Sequence, residues 1–119
     1  MITSIENIQS YKDITTCTFS LDVNYYVKVA SESFYSIFAN PKGCVFTDLV
    51  HTDYRDEFMQ VFENIQVGES KRFILPLINK SDNYIYCDLY LTGKEASNIN
   101  VPKASVNLFI IGKLEDDYI

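Results

Sequence analysis

Two runs of alternating apolar residues, joined by a polar turn, restrict the fold of this 119-residue chain more than any other feature. In residues 72–79 and again in residues 84–91, large apolar side chains take up every second position. The intervening residues 80–83 are all polar, as is typical of a reverse turn. Successive side chains of a strand point to opposite faces, so the pattern predicts an antiparallel hairpin with large side chains on both faces.

Three further strands are predicted outside this hairpin. Residues 17–23 alternate with a period of two, and Val27 and Val29 then flank Lys28 after a short turn region. A last apolar run extends over residues 105–114, after a polar loop. These patterns predict a first strand, a turn and a second strand near the start of the chain, and a closing strand near its end.

Two helices are predicted between the second and the third strand. Apolar side chains share one helical face in residues 31–38, which predicts a short helix. In residues 53–66 the aromatic and aliphatic side chains follow the i, i+4 spacing of an amphipathic helix. Asp53 is the expected N-cap of this longer helix, and Gly68 lies just past its expected end.

The order of these elements predicts an α+β fold. Five strands with their helices grouped between the second and third indicate a five-stranded antiparallel sheet that carries helices on one face. The other face is left open. Residues 1–14 are predicted to be an N-terminal helical segment, since Ile5 and Ile8 lie three positions apart among polar residues. This segment packs either on the domain or on a partner.

Charge and cysteine content exclude several classes of function. Ten basic against sixteen acidic residues give a net charge of −6, which repels nucleic acid and anionic membranes, and no apolar stretch is long enough for membrane insertion. The three cysteines have the spacing of neither a disulfide framework nor a zinc site, so we expect a cytoplasmic protein without a metal site. A single histidine and the absence of phosphate-loop and nucleophile motifs predict a non-enzyme.

Four parts of the chain, in order, resemble a PAS domain, the sensory module of bacterial signalling proteins. They resemble the family's first hairpin, the run ahead of its long helix, its hairpin turn and its closing strand. The corresponding residues are 19–22 with 27–31, then 48–53, 78–83 and 109–116. The resemblance implies a PAS-like sensory domain over residues 15–117, with residues 118–119 beginning a link to an output domain.

The resemblance also implies what such a domain does. It implies a non-catalytic sensory module that binds a small ligand, forms a homodimer, or does both, and thereby controls an attached diguanylate cyclase, histidine kinase or regulator. The alternative is a ligand-free domain for protein–protein interaction or dimerisation. A fold alone does not distinguish these functions.

The space between the sheet and its helices is the expected ligand pocket. The residues predicted to line it are Phe34, Phe38, Cys44, Phe46, Phe58, Phe62, Leu75, Leu77, Asn79, Cys87 and Leu89. The Asn79 amide either holds a ligand or caps the end of a strand. Most of the others are core residues under either hypothesis, and a well-filled core binds no ligand.

No cofactor is predicted, although two residues lie where some PAS domains bind flavin or haem. Cys44 lies where the flavin-binding branch of the family carries its photoreactive cysteine, but the amides that would satisfy a flavin ring are replaced, so a structural thiol is expected. His51 lies near the helix from which some PAS domains ligate haem. The simpler interpretation is that it fixes the turn before that helix.

The opposite face of the sheet is predicted to be apolar and rich in tyrosine. The residues expected on it are Ile74, Ile78, Tyr84, Tyr86, Tyr90, Phe109 and Ile111. A dense apolar set on an open sheet usually marks a contact site, so we expect this face to bind a second copy of the chain or another partner.

Overall fold

The structure is a computed structural model, and it describes residues 16–95 and 102–113. The predicted helical segment 1–14 and the predicted start of a linker at residues 118–119 lie outside the described residues. The same holds for residues 114–117 at the predicted end of the domain.

Five strands form one sheet in the order β2-β1-β5-β4-β3. Their bounds are Thr16–Leu21 (β1), Val27–Lys28 (β2), Ser70–Ile78 (β3), Tyr84–Gly93 (β4) and Ala104–Lys113 (β5). All four pairings are antiparallel, and β1 pairs with β5 in the middle of the sheet. The five-stranded antiparallel sheet of the predicted α+β fold is therefore confirmed.

Two helices and a single 3₁₀ turn connect β2 to β3. They are α1 (Glu32–Ile37), the 3₁₀ turn (Phe46–Asp48) and α2 (Thr52–Asn64). Each contributes buried phenylalanine side chains to one core, which is completed by the inward side chains of the sheet. The spacing of apolar residues in the sequence predicted both helices, because it reflects the face that each helix buries.

Both ends of α2 differ from the prediction. Asp53 was expected as the N-cap, but that is wrong: His51 is the N-cap, and its Nδ1 accepts the N–H of Asp53 at 3.1 Å. The helix ends at Asn64 rather than at residue 66, because Ile65 already has an extended backbone. Gly68, with φ of +83°, belongs to the loop that follows.

The second strand is shorter than predicted. Val29 was expected to continue it, but β2 ends at Lys28 and Val29 takes φ of +35° with 86% of its surface exposed. The chain turns at this point toward α1, and the N–H of Ser31 donates to the carbonyl oxygen of Thr18 at 2.9 Å. This bond with β1 places the start of α1 against the sheet.

Candidate functional site

Ten of the eleven predicted pocket residues lie in the core or against it, between the sheet and the helices, whereas Asn79 follows the end of β3. Cys44 and Asn79 are half-buried. The others are buried, namely Phe34, Phe38, Phe46, Phe58, Phe62, Leu75, Leu77, Cys87 and Leu89. The alternation and helical spacing in the sequence predicted that those of them in the helices and strands face the core, because both periods report which side chains are buried.

Aromatic rings in mutual contact occupy this space. The centroid of the Phe46 ring lies 5.3 Å from that of Phe19 and 5.3 Å from that of Phe58. Phe19 in turn lies 5.0 Å from Phe34, and Phe58 lies 6.0 Å from Phe62. Pairs at such separations add about 0.5–1.5 kcal/mol each beyond the burial of their area. A continuous path of ring contacts, here called the ring cluster, therefore connects α1 to α2 through β1.

Tyr25 covers one end of the ring cluster. Its ring lies 4.6 Å from that of Phe62, and its hydroxyl donates to Oε2 of Glu63 at 3.0 Å. Burial, followed by the hydrogen bond and the charge of Glu63, raises the pKa of Tyr25 above its usual range. On the same side, Nζ of Lys103 lies 5.2 Å from the centre of the Phe62 ring and donates to the Glu63 carbonyl oxygen. Sequence analysis missed this arrangement, because Tyr25 lies in a turn with φ of +70°.

A buried carboxylate holds the turn that carries Tyr25. The side chain of Asp22 is buried, and its Oδ1 accepts the N–H of Asn24 at 2.8 Å and that of Tyr26 at 3.0 Å. Nζ of Lys28 lies 3.7 Å from Oδ2. Asp22 therefore fixes the turn between β1 and β2 and, through it, the position of Tyr25 over the core.

Replacing Asp22 by alanine is expected to lower the free energy of unfolding by about 2 kcal/mol, because it leaves backbone donors without their acceptor. Urea unfolding followed by circular dichroism measures the change. Asn24→Ala is the matched control, since Asn24 contributes its backbone N–H to the turn and is exposed. If the Asp22→Ala variant were as stable as the Asn24→Ala variant, Asp22 would not be the residue that fixes the turn.

Asn79 caps the hairpin turn between β3 and β4. Its Oδ1 accepts the N–H of Ser81 at 2.9 Å and that of Asn83 at 3.0 Å. Of the two predicted roles, capping is the one that the geometry displays. The amide oxygen is committed to the turn rather than aimed at the core.

His51 has a structural role at the start of α2. In addition to capping the helix, its ring lies 4.8 Å from that of Tyr84 and 5.8 Å from that of Tyr54. The backbone around it extends the sheet, because the N–H of His51 donates to the Pro76 carbonyl oxygen at 3.1 Å. His51 thus fixes the turn before the helix. Among the described residues, no group of three His, Cys, Asp or Glu side chains is placed to hold a metal ion.

The thiols of the described residues are free and poorly reactive. Burial is the main cause that raises the pKa of Cys17, Cys44 and Cys87 above the ordinary value of a thiol. The nucleophilic form of cysteine is the thiolate, and a raised pKa disfavours this form at neutral pH. They behave as small apolar core residues.

The predicted contact residues lie on the outer face of the sheet, the face opposite to the one that packs against α1 and α2. The most exposed of them are Ile74 at 51% and Ile111 at 52%, followed by Tyr90 and Phe109. Ile78, Tyr84 and Tyr86 are half-buried. A register shift between β4 and β5 leaves Ile111 without a partner on β4 and marks a bulge.

An ion pair lies on the outer face, between the edge strand β3 and its neighbour β4. Arg72 donates from Nε and from one terminal nitrogen to the two carboxylate oxygens of Asp88, both at 2.9 Å. The guanidinium of Arg72 also lies 5.6 Å from the centre of the Tyr90 ring, and that ring meets Phe109 edge-on at 5.9 Å. The hydrogen bond from Arg72 to Asp88, followed by the charge of Asp88, raises the pKa of Arg72 above its ordinary value. These contacts order the long Arg72 side chain beside the exposed apolar residues of the outer face.

This network was not predicted, although a signal for it exists in the sequence. Asp88 is an acidic residue among the outward tyrosines of β4, and Arg72 is the first outward residue of the β3 alternation. Their contact depends on the register, which places Arg72 opposite Tyr90 and Ile74 opposite Asp88.

No helix among the residues that the structure describes is long and apolar enough to cross a membrane.

Comparison with known proteins identifies the fold. No family model and no curated protein matches the chain. Among solved structures, the PAS domain of an HTR-like protein from Haloarcula marismortui has a TM-score of 0.69 at 9% identity, over 92% of this chain and 96% of that one. PAS-B of the Drosophila melanogaster Cycle protein has a TM-score of 0.63 at 12% identity, over 82% of this chain and 99% of that one.

A PAS domain from a two-component sensor histidine kinase gives the same result. Its TM-score is 0.56 at 14% identity, over 93% of this chain and 99% of that one. At such low identity the likeness lies in the fold, and it extends over nearly the whole of each neighbour. The resemblance noted in the sequence agrees with it, and the chain therefore has the fold of a PAS domain.

Proposed function

We propose that this chain is a non-catalytic sensory module that forms a homodimer through the outer face of its sheet. The observation that carries the proposal is the group of exposed apolar side chains around the Arg72–Asp88 pair, above all Ile74, Phe109 and Ile111. Aromatic residues and arginine are enriched in protein interfaces. The pair and its neighbours supply both types on one ordered surface.

The size of the outer face supports a dimer of modest affinity. Strands β3, β4 and β5 have nine or ten residues and so extend for about 30 Å. Together with the six-residue β1, these strands give a flat area of roughly 500 Å² at a spacing of about 4.8 Å. Specific interfaces bury about 800 Å² on each partner, and weaker ones bury less. The second copy of the chain is the occupant that such a face suits, because its own outer face presents the same apolar residues.

The sensory part of the proposal rests on the fold. One solved PAS domain of this fold comes from a sensor histidine kinase, and we extend that kind of role to this chain. An attached output domain, such as a kinase or a diguanylate cyclase, would then respond when a signal favours one arrangement of the two protomers over another. The three free thiols suit the reducing cytoplasm, which we propose as its location.

The second candidate function is the ligand-free form of the same module. The ring cluster favours it, because the expected pocket contains phenylalanine rings in contact with one another. A small ligand would have to separate these rings. Native mass spectrometry of the dimer distinguishes the two forms: the ligand-free form has the mass of two chains and nothing more.

The homodimer is tested by Ile111→Glu. Burying a charge without a partner costs several kcal/mol, so the dissociation constant of the dimer is expected to rise by about a hundredfold or more. Size-exclusion chromatography with light scattering, over a wide range of protein concentration, measures it. Val67→Glu is the matched control: Val67 is 68% exposed in the loop before β3 and receives the same charge.

The proposal fails if the wild-type chain is monomeric at every concentration. It also fails if Val67→Glu weakens the dimer as much as Ile111→Glu does, because the effect then follows from net charge. Equal melting temperatures of the two variants would show that both are folded.

A further inference from the structure

A cleft of about 430 Å³ lies beside β2, and it shares no lining residue with the ring cluster or with the outer face. Three parts of the chain line it: residues 26–30, Tyr35 of α1, and residues 41–43. None of these residues was predicted from the sequence to have a binding function. The cleft is therefore a feature that neither the core nor the proposed dimer explains.

Backbone hydrogen bonds hold the walls of this cleft. The N–H of Val27 donates to the carbonyl oxygen of Cys44 at 2.9 Å, and the N–H of Phe46 donates to that of Tyr25 at 2.8 Å. The segment that follows Gly43 is thus fixed along β2. Gly43 itself has φ of +78°, which allows the chain to turn at the rim.

The lining of the cleft is about equally polar and apolar, and its large side chains are open to solvent. Tyr26, Val29 and Tyr35 are all exposed. Val29 is also a β-branched residue at positive φ, a conformation that costs energy and is found preferentially at functional sites. Because its side chain is outside the core, burial does not compensate for this cost.

The charged groups that line the cleft are lysine ammonium groups, which donate hydrogen bonds. Lys28 and Lys42 line it, and no acidic residue does, although the chain as a whole has a net charge of −6. Lys42 has no ion-pair partner among the described residues, whereas Lys28 lies 3.7 Å from Asp22. Within that same part of the chain, the backbone N–H groups of Val29 and Gly43 have no acceptor.

We propose that this cleft binds a small aromatic carboxylate. The ring would lie against Tyr26 and Tyr35, and the carboxylate would accept from the ammonium of Lys42 and from free backbone N–H groups at the rim. The volume lies within the range of small-molecule sites in proteins, which is about 300–1,000 Å³. Two tyrosine rings beside charged donors are an arrangement that selects an amphipathic anion with an aromatic ring.

Benzoate is the probe, and its binding is followed through the amide resonances of the ¹⁵N-labelled chain. We expect saturable shifts centred on Val29, Ala30 and Gly43. Lys42→Gln is expected to raise the dissociation constant about fivefold, as for the loss of one exposed ion pair. Lys71→Gln is the matched control, because Lys71 is an exposed lysine of β3 that does not line this cleft.

Benzyl alcohol, a neutral molecule of similar shape, tests whether the charge is recognised. It is expected to bind at least about fivefold more weakly than benzoate. The proposal is overturned if benzoate causes no saturable shifts at these amides, if benzyl alcohol binds equally well, or if Lys42→Gln binds like Lys71→Gln. The test uses the isolated chain and does not depend on dimerisation.

Discussion

Replacing Gly93 by alanine is expected to lower the free energy of unfolding by about 3 kcal/mol or more. A Cβ atom at this position would overlap the carbonyl oxygen of Gln66 and lie 2.9 Å from its carbonyl carbon. The backbone has little freedom to move away. The N–H of Gly93 donates to the Glu69 carbonyl oxygen and its own carbonyl accepts from Gly68, both at 2.9 Å. The loop that follows α2 therefore contacts β4 so closely that it requires a glycine.

Urea unfolding of Gly93→Ala beside Gly112→Ala tests this expectation. Gly112 lies on β5, and a Cβ there would have no atom within 4 Å. Its replacement is expected to change the free energy of unfolding by about 0.5 kcal/mol at most. Loss of the folded state in Gly93→Ala alone would support the account. Equal stability of the two variants would contradict the close approach of the loop.

Phe58→Ala is expected to destabilise the chain by about 3–5 kcal/mol, the range for a buried phenylalanine. Phe58 is fully buried in α2, and its ring centroid lies 5.3 Å from that of Phe46, 5.6 Å from Phe73 and 6.0 Å from Phe62. Truncation removes these contacts and the one with Tyr25 at 6.4 Å, and it leaves a cavity. Domains are stable by only about 5–15 kcal/mol, so this variant is expected to be close to unfolding.

Thermal and urea unfolding of Phe58→Ala measure this loss. Tyr35→Ala is the control, because it also removes an aromatic ring from a helix but from an exposed position. Its expected effect is about 0.5 kcal/mol. If both variants lost the same small amount of stability, the ring cluster would not be the centre of the core.

Much of the fold follows from the sequence. The β3–β4 hairpin was predicted because one residue in two is apolar and the turn residues are polar. The same period identified the inward residues of β4, such as Cys87 and Leu89, since a strand in an antiparallel sheet has a fixed alternation. The helices were predicted for the equivalent reason at a period of 3.6.

The parts that were missed depend on contacts between distant residues. Histidine is not a common N-cap, so nothing in the sequence favoured His51 over Asp53. Valine favours strands, and only the turn toward α1 makes Val29 leave β2. Asp22 was given no role, because its burial depends on how the turn between β1 and β2 packs over the core.

In the candidate sites, too, local patterns were predicted from the sequence and contacts between distant residues were not. Parity along β3 and β5 predicted that Ile74 and Phe109 share a face, whereas the Arg72–Asp88 pair requires the register between strands. The predicted pocket residues of the helices and strands were predicted to face the core from their periodicity. Whether their side chains leave a space or fill it depends on how the rings pack, which no single-chain pattern reports.

We expect the outer face of the sheet to meet a second copy of the chain. A dilution series of the ¹⁵N-labelled chain tests it most directly, because amide resonances at an interface shift as the dimer dissociates. If the dimer forms through the outer face, we expect concentration-dependent shifts for Ile74, Tyr90, Phe109 and Ile111. The resonances of Asp56 and Glu57, on the exposed side of α2, are expected to stay unchanged. Shifts centred on α2, or none at any concentration, would contradict it.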